Sequence, residues 1–478
     1  MTLLLLLFPA CMALVALAIP SNRLRPWVLP VTTAVHLALT LLALLRPAGN
    51  IATSWIALDP LGKLVLLLIS VLYFITSFYL VGYLHYRHER SNRIVCACLL
   101  SGLSAMTLLT WAHHLGIMWV AIETTALSTA PLIYFNHTPR SIEAAWKYLL
   151  IGSVGIALAL LGSFFLAYAS LRSGLPPTLL LGELLREAPQ LSKPWLHAAF
   201  VLMLVGYGTK MGLAPMHTWK PDAYGEAPGA IGALLAGGVT SCAFLCILRI
   251  YHICLAAGDG PYVAPMLLFM GLLSMAIAGI FMVGQQDYKR MLAYSSVEHM
   301  GILILGLGLG GAAALFGTLL HMINNGLTKG VLFLSAGNIH RSYNSAQTSV
   351  VHGALRRLPL SGGLFLTGFL AITGSPPFAP FISEFSIFNA AIDSGHWIAS
   401  GLFLLFLLVI FIGMGATVLR IVQGSAPEST PQTPYRDSLF TTFSPIVFLG
   451  LALLLGLAIP SPLNHMLMDA VHYLEVQP

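Results

Sequence analysis

Six ionisable side chains interrupt segments that are otherwise apolar, and they carry what chemistry the chain has to offer. They are Glu123 in "VAIETTALS", Lys147 in "KYLLIGSVG", Lys210 in "LVGYGTKMGLAPMHTW", His321 and Lys329 in "HMINNGLTKGVLFLSAG", and Glu384 in "PPFAPFISEF". All are groups that gain and lose protons, and no nucleophile–base constellation accompanies them. An ionisable group at a bilayer centre costs roughly 2.5–3.5 kcal/mol on insertion scales, so a chain that keeps several points to a proton or ion path.

Lys210 is the most telling. It stands five residues before Pro215, and a proline leaves carbonyls one turn earlier without a donor. Burial disfavours an ammonium and a nearby carboxylate favours it, so a moving partner can switch this lysine's charge. His321, Asn325 and Lys329 recur every four residues and line one helix face. That stripe reads as a proton path or as a hydrogen-bonded helix contact. Glu384 follows a second Gly-x-x-Pro break and reads as a relay or as a cap on the second half-helix. Glu123 reads as a relay or as a structural ion pair with a lysine on a neighbouring helix. Lys147 starts its predicted span, and snorkelling to the interface is its plainer reading.

The elements that must position these groups follow from composition. The 478 residues are 57% hydrophobic and 8% charged, against about 25% charged in a soluble domain. Stretches 94–122, 149–171, 358–383, 397–419 and 438–468 carry no Asp, Glu, Lys or Arg. Each is long enough to cross roughly 30 Å of hydrocarbon. The apolar runs are continuous, not alternating, which predicts helices and excludes a barrel. The expected fold is an all-α polytopic membrane protein of about fourteen spans. They lie near 2–20, 27–46, 62–84, 93–112, 115–135, 147–171, 195–216, 229–255, 262–284, 293–310, 313–338, 361–392, 397–420 and 440–462, the seventh and twelfth broken. The first span lacks a basic n-region and the second follows closely, so it reads as a retained helix. Fourteen basic residues, among them Arg25, Lys220 and Lys289, fall in loops of one side, against Arg46, Arg172, Arg186 and Lys193 on the other. This bias predicts both termini outside the cytoplasm.

"KYLLIGSVG" at 147–155 and "KGVLFLSAG" at 329–337 share Lys, Leu, Ser and Gly in register. A glutamate lies one span before each (Glu123, Glu298), and a Gly-x-x-Pro break one span after each (212–215, 374–377). The repeat unit is five helices, and an odd number inverts the second copy, as in transporters. The expected division is 1–90 for three N-terminal helices, 91–260 and 261–425 for the two repeats, and 426–478 for the last helix and tail. The six cysteines have no metal or redox spacing, and Cys242 and Cys246 read as packing. "GLGLGG" at 306–311 reads as a turn between spans, with no strand before it to make a dinucleotide loop. Neither a metal nor a cofactor is expected, and the net charge of +6 reflects topology, not nucleic-acid binding.

"AAWKYLLIGSVG", "KMGLAPMHTWKPDAYGEAP", "DYKRMLAYSSVEHMG" and "HMINNGLTKGVLFLSAGNI", in that order, resemble the antiporter-like membrane subunits of respiratory complex I, group 4 membrane-bound hydrogenases and Mrp antiporters. The resemblance spans residues 55–425, and "MWVAIETTALSTAP" with "SSVEHMG" looks most like the F subunit of hydrogenase-4-type complexes. It implies that Glu123 and Lys210 form a coupling pair, with Lys147 at the start of the sixth helix. It further implies that His321, Lys329 and Glu384 continue the path and that His299 opens the tenth helix. His217, in the first break, is a secondary candidate. Two positions depart: Ser241 stands where relatives often have lysine or histidine, and Asn325 where many have a second histidine. Neither stores a proton at neutral pH.

The implied function is proton translocation within an energy-converting redox complex in a bacterial or archaeal inner membrane. Its partners would be other membrane subunits, a peripheral iron–sulfur arm, lipid, and protons or Na⁺. A sodium/proton antiporter subunit and a non-pumping membrane anchor remain the alternatives.

Overall fold

The computed structural model describes residues 2–45, 54–87, 90–425 and 433–475. Arg46, counted above for topology, lies outside them. The described chain is almost entirely helical. In order it forms α1 (Thr2–Ala18), α2 (Val28–Leu44), α3 (Pro60–Tyr86), α4 (Arg93–Trp111), α5 (Leu115–Ile133), α6 (Pro139–Arg172), α7 (Leu181–Glu187), α8 (Lys193–Met211) and α9 (Trp219–Glu226). There follow α10 (Gly229–Leu234), which continues through a π-turn (Leu235–Val239) into α11 (Thr240–Ala256), then α12 (Gly260–Met282), α13 (Tyr288–Leu309) and α14 (Gly311–Tyr343). The rest is α15 (Ala354–Arg357), α16 (Pro359–Ile372), α17 (Ala379–Asp393), α18 (Trp397–Val422), α19 (Leu439–Leu457) and α20 (Ser461–Glu475). Among the described residues, β structure is limited to three isolated bridges that pin loops.

Ten of these helical segments are long and apolar enough to cross a membrane. Neither α8 nor α14 is among them, because the polar residues of interest lower the hydropathy of those two. The element at 229–256 is wholly buried and packs against α8, α3 and α14. The 33-residue α14 touches α13, α16, α17, α19 and α20 as well, which makes it the hub of the bundle. Apolar side chains at the rim point outward, as expected of a surface that meets lipid, for example Leu150, Val154 and Phe164 on α6 and Leu404, Leu405 and Leu408 on α18.

Several boundaries differ from the sequence reading for local reasons. Helix α6 begins eight residues before Lys147, where Pro139 occupies the first turn and Thr138 and Ser141 form a reciprocal cap. Lys147 is therefore two turns into its helix and not at its start. The Gly-rich run at 306–311 is mostly helix: α13 runs to Leu309, and only Gly310 separates it from α14. An amphipathic α20 was not expected from the sequence. It buries Leu467, Ala470, Val471 and Leu474 against α14 and α3.

Three basic residues assigned above to water-facing loops are instead buried: Arg25, Lys220 and Lys289. Arg25 donates to Ile19 O and to Asn92 Oδ1, while Lys289 Nζ donates to Gly225 O and Ala227 O, at 2.5 and 2.8 Å. Backbone carbonyls hold these cations where a sequence count sees only charge.

Among the described residues one Arg–Asp pair is buried on both sides. Arg249 on α11 reaches Asp59 at 2.9 Å and donates to Leu109 O and Thr110 O at 3.0 and 2.8 Å. Asp59 also caps α3 through Gly62 N, so one pair ties α3, α4 and α11 together. Asp59→Ala leaves the guanidinium without its counter-charge, which costs about 3–5 kcal/mol. A lower thermal unfolding midpoint of the detergent-solubilised protein is expected, and an unchanged midpoint would rule this role out.

Candidate proton-handling site

The first break turns on Gly212. It ends α8 in the left-handed region with φ +84°, and Leu213 N bonds back to Gly208 O at 2.9 Å. Two carbonyls near the broken end find donors from the next element: Trp219 Nε1 reaches Thr209 O at 2.9 Å and Lys220 Nζ reaches Met211 O at 2.8 Å. Lys220 fills the space where a Cβ on Gly212 would stand, since that Cβ would lie 2.7 Å from its Cδ and 2.9 Å from its Nζ.

Lys210, fully buried on the last turn of α8, donates to the Tyr148 hydroxyl at 2.9 Å. It also lies 4.2 Å from the centre of that ring. The Tyr148 hydroxyl is 2.7 Å from Thr129 Oγ1, which itself donates to Thr125 O. Lys210, Tyr148 and Thr129 thus form an ordered chain of donors. The expected Glu123–Lys210 ion pair is not closed. Glu123, half-buried on α5, accepts from Ser153 Oγ at 2.8 Å, and its Oε2 has no partner. The two groups instead reach consecutive residues of α6, because a Cβ on Gly152 would lie 3.8 Å from Lys210 Nζ.

Lys147 belongs to a different environment. Its side chain is 43% exposed and pairs with Asp222 at 2.8 Å and Glu143 at 2.6 Å. Asp222 also binds Arg290 at 2.6 Å. These residues line an open polar cavity of about 580 Å³ with Arg140, Glu226 and Asp287. Lys147 lines this open cavity and is not part of the buried array.

That array lies on α13, α14 and α17. Lys329 Nζ donates to Ser295 Oγ at 2.7 Å, and Lys220 reaches Ser296 O on the adjacent residue at 3.4 Å. One turn on, His299 Nε2 is 3.9 Å from Glu298 Oε2, while His299 Nδ1 is 3.0 Å from His321 Nε2. His321 Nδ1 is 3.0 Å from Ser383 Oγ, which is also within hydrogen-bond reach of Pro380 O. With the Ser383 hydroxyl turned to Pro380 O, His321 donates from Nδ1 and its Nε2 accepts from His299; with the hydroxyl turned to His321, both histidine bonds reverse. Beside them Glu384 is buried, with Oε1 unpartnered. Its Oε2 occupies the notch at Gly374 (φ +68°), where a Cβ would lie 2.2 Å away. His299, His321 and Glu384 bring ligand-type atoms within 4.8 Å of one another. Three of the four ring nitrogens are already engaged, so the cluster suits proton transfer better than a cation.

Ser241 and Asn325 are committed elsewhere. Ser241 Oγ donates to Gly237 O at 2.6 Å, and Asn325 Nδ2 to Ala236 O at 3.4 Å. Both brace the π-turn, whose carbonyls lack α-helical donors. His217 is buried in the first break against Tyr294, 6.3 Å between ring centres, apart from the array. Sequence reasoning missed Lys220, Tyr148, Thr129, Ser295 and Ser296. For Tyr148 a signal existed: it follows Lys147, and one residue along a helix turns a side chain from the open cavity to the interior.

Taken together, these features define a helical membrane protein whose interior holds buried ionisable side chains near two helix breaks. The chain belongs to the family described as NADH:quinone oxidoreductase/Mrp antiporter membrane subunits, whose model matches residues 112–412. It is 33% identical over 455 residues to a hydrogenase-4 component F homolog of Methylacidiphilum infernorum, covering 92% of this chain and 93% of that protein. It superposes on a chain of respiratory complex I from Thermus thermophilus with a TM-score of 0.79 at 27% identity, covering 96% and 97% of the two chains. A chain of the Mrp complex from Dietzia sp. gives a TM-score of 0.85 at 18% identity with 99% and 97% covered, a likeness of fold.

Two substitutions test the geometry. Tyr148→Phe keeps the ring over Lys210 but removes the hydroxyl, and is expected to lower stability by about 1–3 kcal/mol. Gly374→Ala combines a left-handed alanine, about 1–2 kcal/mol, with displacement of the Glu384 carboxylate. Thermal midpoints of the purified protein check both, and wild-type values would mean that the notch and the hydroxyl contact are dispensable.

Proposed function

We propose that this chain is an antiporter-like subunit of a membrane-bound energy-converting redox complex of the hydrogenase-4 or complex I type, and that it translocates protons. The observation that carries this reading is the buried line itself: Thr129, Tyr148 and Lys210 at one break, Lys329 with Ser295 in the middle, and Glu298, His299, His321 and Glu384 at the other. A scaffold has no use for so many uncompensated ionisable groups in hydrocarbon. Redox chemistry in partner subunits would move a charge or a helix near Glu123. Bringing Glu123 to Lys210 favours the ammonium, and parting them releases its proton toward Lys329 and then Glu384. Against a membrane potential each charge costs about 2.3 kcal/mol per 100 mV, so the relay must be gated.

On the same reading the chain has fourteen spans. Two inverted five-helix units, 91–260 and 261–425, are flanked by helices in 1–90 and 426–478, with both termini outside the cytoplasm of a bacterial or archaeal inner membrane. Support comes from one interrupted helix in each unit. Both interruptions fall at glycines with positive φ, and in both a charged side chain occupies the glycine's open side. Partners would be other membrane subunits, joined to a peripheral iron–sulfur arm that holds the redox centres. Lys147 and its open cavity would admit protons from one face.

Membership of a sodium/proton antiporter complex is the second reading, favoured by the close fold likeness to the Mrp chain. The same path would then run on ion gradients alone, and carboxylates such as Glu123 and Glu384 could serve Na⁺. Lys210→Met is expected to abolish proton translocation by the assembled complex in membrane vesicles while leaving the complex intact. Undiminished pumping in that variant would refute the proton-path reading and favour a membrane anchor.

A further inference from the structure

We propose that Lys220 is the proton carrier between Lys210 and Lys329. The inference rests on the proton-translocating reading and supplies the step that Ser241 and Asn325 leave open.

Lys220 has no exposed surface, and among the described residues no carboxylate pairs with it. Its Nζ is held by Met211 O, Ser296 O and, at 5.7 Å, the Tyr224 ring. A helix end requires a donor but not a charge, as Trp219 Nε1 shows on the neighbouring carbonyl of Thr209. An amine at this point therefore has a use beyond capping.

Its contacts point both ways along the path. Met211, whose carbonyl it holds, follows Lys210 directly in the chain. Trp219, which precedes Lys220, packs on Tyr148 with ring centres 5.0 Å apart, and Tyr148 is the partner of Lys210. On the other side Ser296 follows Ser295, the partner of Lys329. Lysine has a flexible four-carbon stem and three donors, so a swing of the amine spans both sites. Gly212 leaves open the space this side chain occupies, as Gly374 does for Glu384. Of the other residues at the centre, Ser241 and Asn325 are bound to the π-turn and titrate at no physiological pH.

The step is a plain transfer. The neutral Lys220 amine accepts a proton as an N–H bond of Lys210 breaks, and the resulting ammonium gives one up to the neutral amine of Lys329. Two ammonium groups converging on adjacent residues of α13 repel, so the middle of the path holds one proton at a time and passes it on.

The test uses the assembled complex in native membrane vesicles, with protons translocated per turnover measured at matched abundance. Lys220→Arg keeps the charge and the bond to Met211 O but does not release a proton. Lys220→Gln keeps a donor to that carbonyl without the charge. A capping residue tolerates at least one of these, whereas a carrier tolerates neither, so translocation is expected to fall more than tenfold in both. If either variant keeps more than half of the wild-type value, Lys220 is not the carrier. Where both reduce the amount of complex, Lys220→His against Lys220→Leu decides: measurable translocation with histidine alone supports the carrier, and equal values overturn it. Lys210→Met in the same series separates the hypotheses. Its loss of pumping beside an active Lys220→Arg or Lys220→Gln removes only the carrier role, while its wild-type pumping removes the function.

Discussion

Within a bilayer the backbone of an intact helix has no carbonyl to spare, and the rest of this structure depends on that constraint. A lysine or glutamate can sit at depth only where partners exist, and the backbone of an unbroken helix offers few. The chain meets the requirement by interrupting two helices at Gly212 and Gly374. Each interruption exposes backbone oxygen or opens a notch the width of a missing methyl, and a charged side chain enters it: Lys220 in one, Glu384 in the other. The π-turn in the 229–256 element is the counterpart without charge. Two of its carbonyls, Ala236 O and Gly237 O, accept from Thr240, Asn325 and Ser241.

Helix α13 gathers what the breaks release. Ser295 holds Lys329, Ser296 holds Lys220, and Glu298 and His299 lead on to His321. Four polar residues within five positions thus face two other elements, α9 and α14. A residue on α14 four or eight positions from Lys329 is about 6 or 12 Å away along the axis, too far for direct transfer. The α13 run fills that gap from the side, where Asn325 does not.

Much of the fold was legible in the sequence because hydrocarbon length and helix breakers are local properties. Charge-free stretches gave the helices, and the two Gly-x-x-Pro motifs gave the breaks. The buried state of Lys210, His321, Lys329 and Glu384 followed from their apolar neighbours. Lys220 was read as a loop charge for the opposite reason: Trp219, Pro221 and Asp222 around it look like a turn in water, and only the packing of α9 under α13 shows otherwise. Lys147 matches Lys329 in motif but not in surroundings. A shared motif fixes the register along a helix but not what covers it, and here Glu143 of the same helix and Asp222 of α9 pair with a half-exposed Lys147. The Glu123–Lys210 contact is a matter of which rotamer each group holds, and no sequence pattern specifies that.

The Asp59–Arg249 pair bears on more than stability. A guanidinium keeps its charge under any condition a cell provides, and this one has its donors engaged by a carboxylate and two carbonyls. It sits toward the end of the wholly buried 229–256 element, in line with the π-turn. The carboxylate neutralises it, and the two carbonyls of α4 take its other donors. The pair is thus a rivet closed on itself: it fastens three helices at one point and leaves no charge over for anything else.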